Sequence, residues 1–216
     1  CYTNIMEKDD YTLAEKRIKV SDGFELYVQD WGNPHAKTPI IFLKGGPGGA
    51  CKQRDKDGFD PARDRVIFFD QRGCGQSKPY GKLEDNTTVH MIQDITAIAD
   101  HFGLQKFALR GTSWGSCLAL AYALEHPERV EALFIGGVFT ASQMEIDWLD
   151  QGRFRAFYPD VWEAYLNSVP AEHQHNPSGY HYEKVLNGTP DEVKKSAYAY
   201  ACLEGGAIKL DDRFTP

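Results

Sequence analysis

The sequence predicts an α/β fold: a mostly parallel sheet with helices on both faces, followed by a helical subdomain. Three observations carry this. Residues 39–43 (PIIFL) and 64–69 (DRVIFF) are short apolar runs without alternation, the pattern of strands buried on both faces of a parallel sheet. Runs of helical period lie between such strands: Met91, Ile92, Ile95, Ile98, Ala99 and Phe102 share one face of residues 87–102, and alternating β and α elements give a parallel sheet with packed helices. After about Thr140 the strand pattern stops and aromatic-rich helical segments take over. The expected division is therefore a sheet domain over 1–139 and a helical cap over 140–216, lying at the C-terminal ends of the strands, where open α/β sheets bind ligands.

In chain order, residues 17–20 and 24–29 are β-prone and flank Ser21-Asp22-Gly23, which makes an edge hairpin. The strand at 39–43 delivers the chain to Lys44-Gly45-Gly46-Pro47-Gly48-Gly49-Ala50. So many glycines after a buried strand mean that backbone itself is to approach something. The strand at 64–69 ends in Asp70-Gln71-Arg72-Gly73-Cys74-Gly75-Gln76-Ser77. Helix 87–102 stops at Gly103, and a strand over 104–109 runs into Gly111-Thr112-Ser113-Trp114-Gly115, followed by a helix over 114–126. Residues 130–135 read as another buried strand. Helices are expected over 144–157, 161–169, 180–186 and 192–203, with Trp148, Phe154, Phe157, Tyr158, Trp162 and Tyr165 as packing residues.

The G-x-S-x-G pattern between a strand and a helix is a nucleophile elbow: a sharp turn lifts the hydroxyl of Ser113 above the sheet, and small flanking residues let strand and helix meet. The new helix start supplies free N–H groups and a dipole that favour negative charge beside that serine. In acyl transfer one oxyanion N–H comes from the residue after the nucleophile, Trp114, and one from the glycine-rich loop. That loop is no phosphate loop, because the terminal Gly-Lys-Ser/Thr of the Walker pattern is missing. Asp70 and Arg72 suit either a charged substrate or a charge-assisted pair that braces this loop and its neighbours, and the brace is the favoured reading. His173, His175 and His181, with Asp147, Asp150 and Asp160, fall among polar helical residues and read as surface groups.

The formal charge of −7 and the lack of a basic cluster argue against nucleic acid as partner. No apolar run nears the ~18 residues of a membrane span. Five widely spaced cysteines, Cys1, Cys51, Cys74, Cys117 and Cys202, offer no zinc spacing and suit reduced thiols in a cytoplasmic protein. No metal or other cofactor is expected. The sequons at Asn86 and Asn187 read as chance matches.

Gly45-Gly46-Pro47-Gly48-Gly49, Phe69-Asp70-Gln71-Arg72-Gly73-Cys74-Gly75-Gln76-Ser77 and Gly111-Thr112-Ser113-Trp114-Gly115-Ser116 together resemble the signatures of the prolyl aminopeptidases (proline iminopeptidases), α/β-hydrolase serine peptidases. The resemblance is strong over about residues 17–138 and weak over the cap. It implies peptide substrates with a free N-terminus, Ser113 as nucleophile, and oxyanion N–H groups from Gly46 and Trp114. Leu203-Glu204-Gly205 is similar to the family's Trp-Glu-Gly, which implies that Glu204 helps hold the substrate's amino group. Lys44 stands where the family usually has histidine, and Thr112 where glycine is common. The family's catalytic Asp and His follow the cap, so the resemblance implies that they lie beyond residue 216, that the C-terminal part of the fold is missing here, and that this chain alone is inactive. An esterase or amidase of the same fold is the alternative enzyme, and a non-catalytic binding protein the alternative class.

Overall fold

A computed structural model describes residues 6–208. The chain divides into two compact units, Cys1–Thr140 and Ala141–Pro216.

Unit 1 is built on six strands: β1 (Thr12–Lys19), β2 (Glu25–Gly32), β3 (Ile40–Leu43), β4 (Arg65–Phe69), β5 (Phe107–Ser113) and β6 (Val130–Val138). They form one sheet in the order β1-β2-β4-β3-β5-β6. The first two are antiparallel to each other and β2 is antiparallel to β4. From β4 to β6 all pairs are parallel, with Ile41 opposite both Ile67 and Leu109. Two helices belong to this unit, α1 (Thr88–His101) and α2 (Trp114–Glu125).

The doubly buried strands are where the apolar runs place them: Ile41, Leu43, Val66, Ile67, Phe68, Phe107 and Leu109 have no exposed surface. One face of the sheet packs Ile41, Leu43, Ile67, Phe69, Phe107 and Leu109 against Ile95, Ile98 and Ala99 of α1 and Leu118, Ala119 and Tyr122 of α2. The other packs Phe42, Val66 and Phe68 against Met6, Cys51 and Phe59. Sequence reasoning expected helices on both faces. In this unit both α-helices share one face, and the opposite face is covered by the segment around the 3-10 turn Gln53–Gly58. Crossover handedness explains it. The chain steps from β3 outward to β4, then back across β3 to β5 and on to β6. Right-handed crossovers in opposite directions lie on opposite faces, and the two in one direction lie together. The first of these happens to contain only a short turn.

Two further expectations change. The first hairpin strand begins at Thr12, earlier than the β-prone run. Strand β6 was expected to be buried, yet it forms the sheet's edge among the described residues, with Phe134 56% exposed and Leu133, Ile135 and Val138 also open. Its composition is that of an interior strand; burial depends on a neighbour that composition does not specify.

Unit 2 is helical: α3 (Gln143–Asp150), α4 (Pro159–Asn167), α5 (Pro177–Asn187) and α6 (Pro190–Ile208). Its core joins Phe154, Trp162, Tyr165 and Leu203. The single helix expected over 144–157 is broken at Gly152, which takes a left-handed φ of 63° and lies so close to the Trp162 indole that a Cβ would collide with it. The chain turns there, so Trp148 and Phe157, expected to pack, stack on each other while staying exposed. No helix among the described residues is long and apolar enough to cross a membrane.

Candidate active site

Strand β5 ends and α2 begins at the same point, Ser113. Its φ is 55° and ψ −126°, a conformation that a residue with a Cβ rarely adopts. This bend turns the chain from strand to helix within one residue and leaves Ser113 exposed. The two flanking glycines are required by contact. A Cβ on Gly111 would collide with the Gly115 carbonyl, and one on Gly115 with the Leu43 carbonyl oxygen at the end of β3. Helix α2 can therefore start directly against the strand that feeds the glycine-rich loop. Trp114 is the first residue of α2, where N–H groups lack intrahelical partners and the helix dipole is positive.

The glycine-rich loop lies against this bend. A Cβ on Gly45 would be 2.9 Å from the Thr112 carbonyl oxygen and 3.4 Å from Ser113 Cβ. The structure thus brings the Gly45 backbone, just after β3, against Ser113 at the end of β5, where α2 starts. Lys44 is engaged by an acid: its Nζ donates to both carboxylate oxygens of Asp55 at 2.7 Å, and Asp55 also accepts from Lys52 N–H at 2.8 Å. The departure from histidine at this position is absorbed by a local ion pair.

A family model described as the alpha/beta hydrolase fold matches residues 38–187. This chain belongs to the alpha/beta hydrolase fold family. Similar curated proteins are named proline iminopeptidase: one from Arabidopsis thaliana is 39% identical over 83% of this chain and 47% of its own length. One from Xanthomonas citri is 35% identical over 91% and 63%, and one from Neisseria meningitidis 38% over 90% and 63%. The resemblance of the three motifs to that family thus extends to similarity over 83–91% of this chain. The chain spans about half to three fifths of the length of these relatives. Among solved structures, a proline iminopeptidase of Mycobacterium smegmatis aligns with a TM-score of 0.56 at 20% identity, covering 92% of this chain and 71% of its own. An epoxide hydrolase from hot-environment metagenomes aligns at 0.53 and 23% identity, covering 94% and 73%. At these identities the structural likeness speaks for the hydrolase fold alone.

Around the hydrolase elbow, sequence reasoning missed Ser116. It is fully buried; its Oγ donates to the Ser113 carbonyl at 2.6 Å and accepts from Phe139 N–H at 2.9 Å. It ties the Ser113 carbonyl to the chain leaving β6. A serine three residues into a helix carries no local signal for such a tie.

Asp70 and Arg72 do not brace each other. Arg72, with no exposed side chain, donates to Asp94 on α1 at 2.6 and 2.8 Å, to Ser21 Oγ at 2.6 Å and to the Asp85 carbonyl at 2.9 Å, and stacks over Phe24. Burial pushes the Asp94 carboxyl up, against the lowering by Arg72. Asp70 instead accepts two backbone N–H groups, of Cys51 at 2.7 Å and Gln76 at 2.8 Å. The loop is braced as expected, but each charge has a different partner, because Asp94 lies on a helix that only the tertiary fold brings to Arg72.

In unit 2, Glu204 is on α6 next to the buried Leu203 and is itself solvent-exposed. Desolvation by the surrounding protein and, secondarily, the charge of Asp150 hold its carboxyl above the ordinary range. Asp150, half-buried, is pushed up by burial too, and accepts from Tyr200 Oη at 3.3 Å. Asp147 pairs with Arg153 at 2.8 Å, and His173, His175 and Asp160 are exposed. His181 is not the surface group expected. It is only 4% exposed, stacks on Tyr165, and shares a 2.9 Å hydrogen bond with Ser168 Oγ. Because Ser168 Oγ–H is already given to the Tyr165 carbonyl at 2.6 Å, the imidazole must be the donor, and burial lowers its pKa.

One group of possible metal ligands occurs among the described residues, Asp22, Asp85 and His90. Arg72 and Lys82 already pair with those carboxylates, so the cluster is charge-balanced by protein.

Proposed function

We propose that the protein is a serine aminopeptidase that releases an N-terminal residue, proline by likeness to the proline iminopeptidases, through an acyl-enzyme on Ser113. The observation that supports this best is the sharp bend at Ser113, set between the glycine-rich loop and the first turn of α2. Ser113 Oγ would attack the carbonyl carbon of the first residue while its proton passes to a base. The backbone N–H groups of Gly46 and Trp114 would receive the developing oxyanion. Collapse would break the C–N bond, the base returning its proton to the leaving amine, and water would then release the acyl group. A serine needs such a base, and in this fold the aspartate and histidine follow the nucleophile in chain order. We assign both to sequence after residue 216, as the greater length of the relatives suggests, and expect residues 1–216 alone to be inactive. Glu204, whose carboxyl already bears the field of Asp150, would gain from an ammonium beside it, and so suits the substrate's free amino group.

The test is Ser113→Ala in the protein as its gene encodes it, with a proline arylamide and a simple ester as substrates. Loss of at least about 1,000-fold in kcat with retained folding is expected; wild-type turnover by the variant would end the proposal. Preference for the ester over the arylamide would move the reading to an esterase of the same fold.

A further inference from the structure

We propose that Gln71 and Asp70 are positioning residues that hold the two ends of the glycine-rich loop, and so aim the Gly46 N–H; this rests on the oxyanion role given to that loop above. Four of the six residues 45–50 are glycine, the residue with most backbone freedom to lose. An N–H in such a loop is pre-organised only if something outside fixes it. Two consecutive side chains after β4 do so. Gln71 Nε2 donates to the carbonyl of Lys44, immediately before the loop, at 2.9 Å. Asp70 Oδ1 accepts from the N–H of Cys51, immediately after it, at 2.7 Å. The other Asp70 oxygen takes the Gln76 N–H at 2.8 Å, and Ser77 Oγ donates to the Asp70 carbonyl at 2.6 Å, so the bracket is itself fixed. Gly75 lets it close: a Cβ there would collide with Asp70 Oδ2 and come 2.7 Å from Ala50 Cβ.

Stability alone does not account for these two residues. Gln71 is 1% exposed, and its Oε1 meets no protein donor among the described residues. Asp70 is equally buried and has no salt-bridge partner among them; burial pushes its carboxyl up. Gln71 leaves one buried acceptor unpaired, and Asp70 is a buried carboxylate held by two backbone N–H groups without an ion-pair partner among the described residues; each costs folding free energy that an apolar side chain of the same shape would avoid. What an apolar side chain cannot do is hold Lys44 C=O and Cys51 N–H in place.

The experiment uses the gene-encoded protein with Gln71→Met and Asp70→Asn, the latter turning one anchoring acceptor into an amide donor. Three readouts are taken: thermal unfolding, hydrogen exchange over residues 44–51, and kcat and KM on a proline arylamide. Gln71→Met is expected to unfold at or above the wild-type temperature, to exchange faster over 44–51, and to lose about 10- to 100-fold in kcat with KM within about twofold, a part of what deleting an oxyanion donor costs. Asp70→Asn should show the same exchange and kcat pattern. Unchanged exchange and kcat, or a kcat loss matched by a lower unfolding temperature in Gln71→Met, would overturn the proposal. If the wild type cleaves only a simple ester, the aminopeptidase reading fails and the kcat–KM split is read on that ester. If it cleaves neither, hydrogen exchange decides the bracket, and unchanged exchange overturns it.

Discussion

Replacing Ser113 by glycine should make the protein more stable than replacing it by alanine. The pair isolates the backbone, since both variants lose the hydroxyl and only alanine keeps a Cβ. At φ 55° and ψ −126° a residue with a Cβ bears roughly 1–3 kcal/mol of conformational strain, which glycine escapes. Against this, glycine loses more freedom on folding, roughly 0.5–1 kcal/mol relative to alanine. The midpoints leave about 1 kcal/mol in favour of glycine. With a urea m-value of about 2 kcal/mol/M, the unfolding midpoint of Ser113→Gly should lie about 0.5 M above that of Ser113→Ala. The assay is urea unfolding followed by circular dichroism, with both variants in one buffer. If the glycine variant unfolds at the same or a lower urea concentration, the bend is not strained, and the account of the elbow given above fails.

Two other perturbations probe the surroundings. Arg72→Met leaves Asp94 buried without its guanidinium, and should cost about 3–5 kcal/mol in urea unfolding; adding Asp94→Leu should recover most of this, and a cost under about 1 kcal/mol for the single change would show the pair to be dispensable. The buried, neutral His181 makes unit 2 sensitive to acid. Its folded pKa lies below the reference 6.5, so below that pH the unfolded chain binds more protons, and stability is complete above about pH 6.5 and falls as pH drops beneath it; His181→Gln should flatten that part of the stability–pH curve, and an unchanged curve would assign the dependence elsewhere.

How much of this was legible in the sequence follows from the range of each interaction. Strands β3, β4 and β5 were readable because residues 40–43, 66–69 and 107–109 are apolar at every position, and a strand buried on both faces needs nothing else. The elbow was readable because Gly111 and Gly115 answer to contacts with atoms that lie a few residues away or on the adjoining strand. Arg72 was read as a brace, but its partner is 22 residues further on. The break at Gly152 depends on Trp162, ten positions later and on another helix. The exposure of β6 and the burial of His181 are set by which element stands alongside, and no periodicity within the segment encodes that.

The candidate site joins two thermodynamic costs at adjoining strand ends: a strained serine and a loop of glycines. Both lie at the C-terminal ends of β3 and β5, which pair in register from Ile40–Ala108 to Leu43–Gly111 and have interior residues on both faces of the sheet. Neither feature is held by its own segment. The serine's bend is fixed from α2 by Ser116 through the Ser113 carbonyl, and the loop's ends are fixed by Asp70 and Gln71, which follow β4. If strain and flexibility were incidental, one polar anchor among buried groups would be as good as none. Here three buried polar residues, one on α2 and two just after β4, anchor the backbone at Ser113 and at both ends of the glycine-rich loop. A fold that places buried polar side chains against a strained serine and a loop of glycines is using the stability of the central strands to hold a backbone geometry that the local sequence alone would not keep.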